Sequence, residues 1–459
     1  MNAPGGSTGL FRQWVRQIFS PSAHRPAMPE AEVRRWYPIY RFRILESTFL
    51  GYAVFYLVRN NLSTVAKDME AVLGYSHDQI GNILAVSSLT YGIGKFVMGV
   101  LSDRSNPRAF MAAGLLMTAA CNFLFGGAGS YGLHLFLWGL NGLIQGMGWP
   151  PCGRSIGHWF SVRERGTVFA FWNVAHNIGG GLAGVVAAQA ATRWGWAYAF
   201  YFPGVIALAG SVYLLFRLRD TPQSVGLPPI EVYRNDFPPE QSDLSTHERE
   251  LGTRELFVRY IFQNRALWLV AFANFFVYIA RYSMLDWGPT YLREVKQASL
   301  LGGGTAILIL EFGGIPSTIL MGWLSDKLGG RRGMVSLVCM IPVVAAFGGI
   351  LMNPVGHLWL DYTLLCVVGF FVYPPVMLLG VLGLDLTSKK AVGTAAGFIG
   401  LFGYLGRTVQ AKGFGWMIDH FGKSLGPEAA WNLVLAIILG SAVLSILLLS
   451  FTWKIRPRA

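Results

Sequence analysis

The sequence predicts an all-α integral membrane protein: twelve transmembrane helices in two pseudo-symmetric six-helix bundles. Three observations lead there. The chain is 53% hydrophobic and only 13% charged, where soluble domains carry roughly a quarter charged residues. Apolar runs of about 20 residues, enough to cross a hydrocarbon core of roughly 30 Å, recur throughout and leave no room for a large soluble domain. A short pattern in the first half also returns, almost unchanged, in the second.

In chain order, residues 1–43 hold Arg12, Arg16, Arg25, Arg34, Arg35, Arg41 and Arg43 and lack the apolar core and cleavage site of a signal peptide. They read as a cytoplasmic N-terminal segment. Six spans follow at 44–65, 79–101, 108–127, 131–158, 165–189 and 196–217, forming a first bundle over 44–217. The polar stretch 218–265, with Pro228-Pro229, Pro238-Pro239 and the charged run His247–Glu250, reads as a cytoplasmic linker with one short surface helix near 253–263. Spans at 266–291, 302–324, 333–352, 357–383, 391–417 and 428–453 make a second bundle over 266–455.

The net charge of +13 is distributed as a topology signal and argues for no nucleic-acid partner. Arg104, Arg108, Arg163, Arg165, Lys327, Arg331, Arg332, Lys389 and Lys390 fall in loops on the side of both termini and the linker. The opposite loops hold fewer, such as Lys67, Arg193, Arg293 and Lys423. Both termini are therefore expected in the cytoplasm. Cys121, Cys152, Cys339 and Cys366 have neither metal-ligand nor disulfide-framework spacing and read as packing residues.

Gly99-Val-Leu-Ser-Asp-Arg104 returns as Gly322-Trp-Leu-Ser-Asp-Lys327, 223 residues later, and Tyr56-x-x-Arg59 returns as Tyr278-x-x-Arg281, 222 residues later. Internal repeats with a midplane site at their interface are a common plan for secondary transporters. Glycines at 179, 180, 181 and 184 in the fifth span match a glycine series at 393, 397, 400, 403 and 406 in the eleventh. Such small residues let helices approach closely, either for static packing or for rocking.

A cation in mid-span costs about 2.5–3.5 kcal/mol on insertion scales, so Arg59 and Arg281 each call for an anionic partner. Either each pairs with an internal carboxylate such as Glu311 or Asp286, or the two planar forks clamp one phosphate group between them. Tyr52, Phe55 and Tyr56 share the helical face of Arg59, and Tyr278 that of Arg281. These rings either pack or line a cavity. Lys95 is either a third cavity cation or an interfacial side chain reaching for headgroups. Glu311 is placed to balance one of these cations in an empty site. His176 is either a hydrogen-bonded core residue or a group that follows the protonation of a phosphate.

The loop Gly99–Arg108 resembles the signature of the major facilitator superfamily. Gln145-Gly-Met-Gly-Trp-Pro-Pro-Cys-Gly-Arg154, Trp172-Asn-Val-Ala-His-Asn-Ile-Gly-Gly-Gly181, Asp220–Pro229 and Gly393–Leu405 are similar to the bacterial glycerol-3-phosphate transporters within its organophosphate:phosphate antiporter family. The resemblance runs from about residue 30 to 455. It implies that Arg59 and Arg281 bind the phosphate of substrate and of inorganic phosphate, and that Tyr52, Tyr56, Lys95, His176 and Asn173 line the site. Two departures bear on substrate choice. Asn60 stands where the glycerol-3-phosphate carriers have lysine, as in a phosphoglycerate carrier of the family. Arg407 and Lys412 stand where they have small or apolar residues, close after Tyr404. Arg407 is either a partner for a second anionic group on the substrate or a side chain reaching for headgroups.

The functional expectation is an antiporter in the bacterial inner membrane that exchanges an organophosphate, glycerol 3-phosphate first, for inorganic phosphate, as a monomer and without cofactor or metal. Asp103 and Arg104, with Asp326 and Lys327, are expected to latch the cytoplasmic side. Phosphoglycerate, a hexose phosphate, or a transporter-like sensor of a sugar phosphate are the alternatives. No nucleotide-binding loop, catalytic constellation or metal-spaced cluster appears, so ATP drive and metal catalysis lack support. Two deep arginines argue against proton-coupled drug export, which would want a lone deep carboxylate.

Overall fold

The computed structural model describes residues 20–103, 105–235, 262–386 and 392–455. The surface helix expected near 253–263 falls almost wholly outside them. The helices, in order, are α1 (Glu30–Leu57), α2 (Leu62–Leu73), α3 (His77–Asp103), α4 (Pro107–Gly127), α5 (Tyr131–Gln145), α6 (Trp149–Trp159), α7 (Val162–Trp194), α8 (Tyr198–Arg217) and α9 (Ile230–Arg234). Then come α10 (Arg265–Asp286), α11 (Gly288–Glu294), α12 (Leu300–Lys327), α13 (Arg332–Met352), α14 (Leu358–Asp385), α15 (Val392–Leu425) and α16 (Pro427–Ser450). Each expected span matches one helix or one broken pair: α1 with α2, α5 with α6, and α10 with α11.

Eight of these helices are long and apolar enough by themselves to cross a membrane. The first, fourth, fifth and eleventh crossings are not among them, because breaks, glycines and inward-facing polar groups interrupt their apolarity. Exposed apolar side chains such as Leu124, Phe136, Phe216, Ile319 and Leu447 cover the outer surface, as a lipid-facing surface requires.

The packing repeats as the sequence does. In the first half α1 packs on α7, α3 on α5 and α4 on α8; in the second α10 packs on α15, α12 on α14 and α13 on α16. The halves meet along α3 against α15 and α7 against α12.

The first crossing extends further than its hydropathy indicates. α1 starts at Glu30, where the sequence reading began the span at 44. Pro29 precedes it, and Glu30 and Glu32 in its first turn favour the positive end of the helix dipole. Its polar early turns continue the helix beyond the apolar run, so hydropathy alone misses them. The linker likewise begins with folded structure. Backbone N–H groups of Arg25 and Met28 donate to Gln223 and Gly226, Tyr233 of α9 stacks on Tyr37 at 3.8 Å, and Arg154 pairs with Asp220 at 3.1 Å. Residues 20–29 and 218–235 thus lie together on one face of the first half.

On the opposite face the halves touch backbone to backbone. A Cβ at Gly184 would stand 2.6 Å from the carbonyl oxygen of Gly304, and one at Gly81 would stand 2.6 Å from that of Ala411. Charges join the halves there too. Arg293 binds Asp68 through two nitrogens at 2.5 and 2.9 Å, Lys412 pairs with Asp78, and His77 contacts Asp419 at 3.1 Å and Glu294 at 3.2 Å. Toward the terminal face a cavity of about 740 Å³ opens, lined by Lys95, Gly99, Trp149, Arg154, His158 and Phe169 among others. The halves are therefore closed on each other at the face away from the termini, while the cavity indents the first half on the terminal side.

Gly304→Val should force α7 and α12 apart where they cross. Overpacking of this kind costs about 1–3 kcal/mol, enough to shift a two-state equilibrium substantially. A cysteine introduced at Ala188 should then react faster with a membrane-impermeant reagent added at the closed face, while circular dichroism stays unchanged.

Candidate functional site

Arg59 lies in the gap between α1 and α2, whereas the sequence places it within a continuous span. The sequence Arg59-Asn60-Asn61 interrupts the helix, and the freed carbonyls need partners because no water reaches them in the bilayer core. Buried amides supply them. Asn122 and Asn141 donate to the Val58 carbonyl at 3.2 and 3.0 Å, and Gln145 donates to that of Phe55 at 3.0 Å. Asn61 donates to Asn122 and to the Ala199 carbonyl, each at 2.9 Å. The break is a built feature. In the second half Arg281 lies in α10, which stops at Asp286. Gly288 and Pro289 open α11, and Pro289 has no N–H to continue the ladder.

Both arginines are buried, with 8% and 5% exposure. Of the carboxylates considered as their partners, Asp286 is engaged elsewhere and Glu311 makes no direct ion pair with either. Asp286 accepts from Arg407 at 2.7 and 3.0 Å and from Gln410 at 2.7 Å. Glu311 accepts from the Asn177 amide at 3.0 Å and hydrogen-bonds Tyr373, which also meets Arg281, so it lies beside Arg281 without pairing with it directly. Among the described residues no ion pair reaches Arg59 or Arg281.

Aromatic rings hold them instead. The Arg59 guanidinium lies 3.8 Å from the Tyr91 ring centre and 5.1 Å from that of Tyr56. Arg281 lies 4.3 Å from Tyr373 and 4.8 Å from Tyr282. Tyr56 reaches His176 at 5.8 Å, which reaches Tyr373 at 6.1 Å. Tyr91 reaches Tyr404 at 5.0 Å, which reaches Tyr282 at 6.5 Å. The two paths close a ring of side chains, Arg59–Tyr56–His176–Tyr373–Arg281–Tyr282–Tyr404–Tyr91, that crosses between the halves twice. Faces of aromatic rings stabilise a guanidinium without neutralising it, so both forks keep their charge for an anion.

The remaining candidates occupy distinct places. Tyr278 backs the ring, 5.3 Å from Tyr282 and 5.6 Å from Tyr404. Tyr52 stacks on Trp172 at 4.7 Å behind Tyr56. Lys95 is exposed over the Trp149 ring at 5.6 Å, at the cavity. Trp149, Phe169, Trp172, Tyr52 and Tyr56 follow one another at centre distances of 4.7–6.0 Å, an aromatic wall running from that cavity to Arg59. Asn173 meets His176 through its backbone carbonyl, which accepts from His176 Nδ1. Asn60 is half-buried in the helix gap beside Arg59. Lys412 lies away from the ring, paired with Asp78 at the closed face. Asp326 is exposed and pairs with Arg332 at 3.7 Å, while Lys327 covers Trp323. The Asp103 side chain and Arg104 lie outside the described residues.

Sequence reasoning missed Tyr91, Tyr282, Tyr373 and Asn177 as neighbours of the site. Tyr282 follows Arg281 directly, and Tyr91 lies one turn before Lys95 on the same helical face, so both were within reach. Tyr373 had no such neighbour in sequence; its place depends on how α14 packs.

A model of the family described as Major Facilitator Superfamily matches residues 48–411. The glycerol-3-phosphate transporter of Bacillus subtilis (strain 168) is 41% identical over 449 residues, 96% of this chain and 99% of that one. The probable hexose phosphate transport protein of Chlamydia trachomatis is 37% identical over 451 residues, 96% and 97% of the two chains. In fold, the chain resembles the crystal structure of a bacterial homologue of the human lysosomal transporter Spinster, with TM-score 0.69 at 15% identity, over 90% of this chain and 97% of that one. With the internal repeat and the paired bundles already in place, the chain belongs to the major facilitator superfamily, a family of transporters rather than enzymes.

Proposed function

We propose that the protein exchanges an organophosphate, glycerol 3-phosphate in the first place, for inorganic phosphate by alternating access across the bacterial plasma membrane, as a monomer with both termini in the cytoplasm. The observation that carries this reading is the pair of buried guanidinium groups, one from each half, joined by a ring of aromatic side chains and paired with no carboxylate. Each fork matches two oxygens of a phosphate group through charge-assisted hydrogen bonds. Two forks on opposite halves close on one phosphate and draw the halves together. With the site empty, two desolvated cations share only the buried Glu311 carboxylate nearby, and neither pairs with it directly. The carrier therefore releases one phosphate group readily only when another replaces it, which favours exchange over uniport. The names of the relatives support the substrate class.

Arg407 refines the substrate reading. Its fork is engaged by Asp286, so the site offers two free guanidinium groups. A phosphate monoester with an uncharged remainder needs no more. A phosphoglycerate, with its extra carboxylate, would have to displace Asp286.

Vesicles reconstituted with the protein and loaded with inorganic phosphate should take up labelled glycerol 3-phosphate, and those without internal phosphate should not. In a competition panel, glycerol 3-phosphate should outcompete phosphoglycerate, phosphoenolpyruvate and glucose 6-phosphate. Preference for phosphoglycerate would overturn the substrate assignment. Binding without counterflow would replace the carrier by a transporter-like sensor.

A further inference from the structure

We propose that Glu70, His77 and Glu294 form a binding site for a divalent transition-metal ion of the zinc class, and that the bound ion clamps the two halves shut at the face away from the termini. Glu70 comes from α2 and His77 from α3 in the first half; Glu294 ends α11 in the second. An ion held there bridges the two bodies whose separation opens that face.

The geometry suits a metal. His77 Nε2 lies 3.2 Å from Glu294 Oε1 and 3.6 Å from Glu70 Oε2, and one donor atom from each of the three residues falls within 4.8 Å of the others. A tetrahedral ion with ligands at 2.0–2.2 Å places its donors about 3.4 Å apart. One nitrogen and two carboxylate oxygens suit zinc and its neighbours, and solvent fills the fourth position.

Three further observations point to a cation between these groups. His77 Nδ1 lies 3.1 Å from Asp419 Oδ1. That carboxylate accepts from Nδ1–H, which leaves Nε2 facing Glu294 and Glu70. A carboxylate behind a ligating histidine is the usual orienting partner in metal sites. Glu70 Oε1 is buried and has no hydrogen-bond partner. Glu294 Oε2 accepts from the Trp431 indole at 2.9 Å, which fixes the carboxylate and leaves Oε1 toward the histidine. The neighbouring cations Arg293 and Lys412 are bound to Asp68 and Asp78, so neither competes for these carboxylates. His77 and Glu294 keep 19% and 17% side-chain exposure, so an ion can enter.

The test is calorimetric titration of zinc chloride into the purified full chain, free of any histidine tag, phosphate and chelators. One ion per chain is expected. Binding should be lost in His77→Asn and in Glu70→Gln, and weakened about 10–100-fold in Asp419→Asn, the cost usual for an orienting partner. The absence of zinc binding, or wild-type binding in both His77→Asn and Glu70→Gln, would overturn the site. The clamp rests on the transport reading and is tested separately. Zinc added outside vesicles that expose the closed face should slow phosphate-coupled uptake, a chelator should restore it, and Glu70→Gln should be insensitive. Calorimetric binding without slowed uptake would overturn the clamp; failed uptake without zinc would instead count against the exchange reading.

Discussion

Arg59→Lys and Arg281→Lys are each expected to cut phosphate-coupled uptake on the order of 100-fold while leaving the protein folded. Lysine keeps the positive charge, so the electrostatic balance of the buried site survives. What it loses is the planar fork that meets two phosphate oxygens at once. Hydrogen bonds to charged groups contribute about 1.5–3 kcal/mol each, and about 1.4 kcal/mol corresponds to a factor of ten. One fork reduced to a point charge therefore accounts for a loss near two orders of magnitude. Lysine also lacks the flat guanidinium that lies against Tyr91 and Tyr373, so its ammonium will not keep the same place. Size-exclusion profile and melting temperature should match the parent protein, and the loss should appear in uptake and in binding of inorganic phosphate alike. Retained exchange in either variant would remove the two-arginine clamp from the mechanism.

Arg407→Ala is expected to destabilise the protein by about 3–5 kcal/mol, the usual cost of breaking a buried ion pair by removing one partner. Asp286 is 2% exposed, and Arg407 donates to both its oxygens. Without that partner, a carboxylate remains deep in the second half with Gln410 alone. The double variant Arg407→Ala with Asp286→Ala removes the stranded charge and should recover most of the loss in a thermal melt. This cycle separates two roles. Were Arg407 a ligand for a second anionic group of the substrate, Arg407→Ala would melt normally and transport poorly, and the Asp286 change would restore nothing.

The difference between these arginines was not legible in the sequence. Arg59, Arg281 and Arg407 all read as expensive intramembrane cations with Asp286 and Glu311 as available counter-ions. Asp286 is five residues from Arg281, yet it binds Arg407, because α10 packs along α15 and turns that face of the helix toward it. Lys412, five residues beyond Arg407, was grouped with it as a specificity candidate and instead binds Asp78 of the other half. Along one helix, a few residues separate a central position from one at the membrane face, and hydropathy does not record that depth.

By itself the sequence determined the class, the twelve crossings, the two-half repeat and the residues too costly to bury without purpose. These follow from composition and from patterns local to one or two turns. Tertiary structure alone decided that the first crossing breaks at Arg59, that buried amides from other helices hold the break, and that Tyr91, Tyr282 and Tyr373 complete the ring. It also decided which arginines remain without a carboxylate. Those outcomes depend on contacts between helices far apart in the chain, set by how side chains interdigitate where helices cross. Hydropathy fixes that a helix crosses the bilayer; its rotation about its own axis, which chooses each side chain's partner, is fixed only when all the helices pack together.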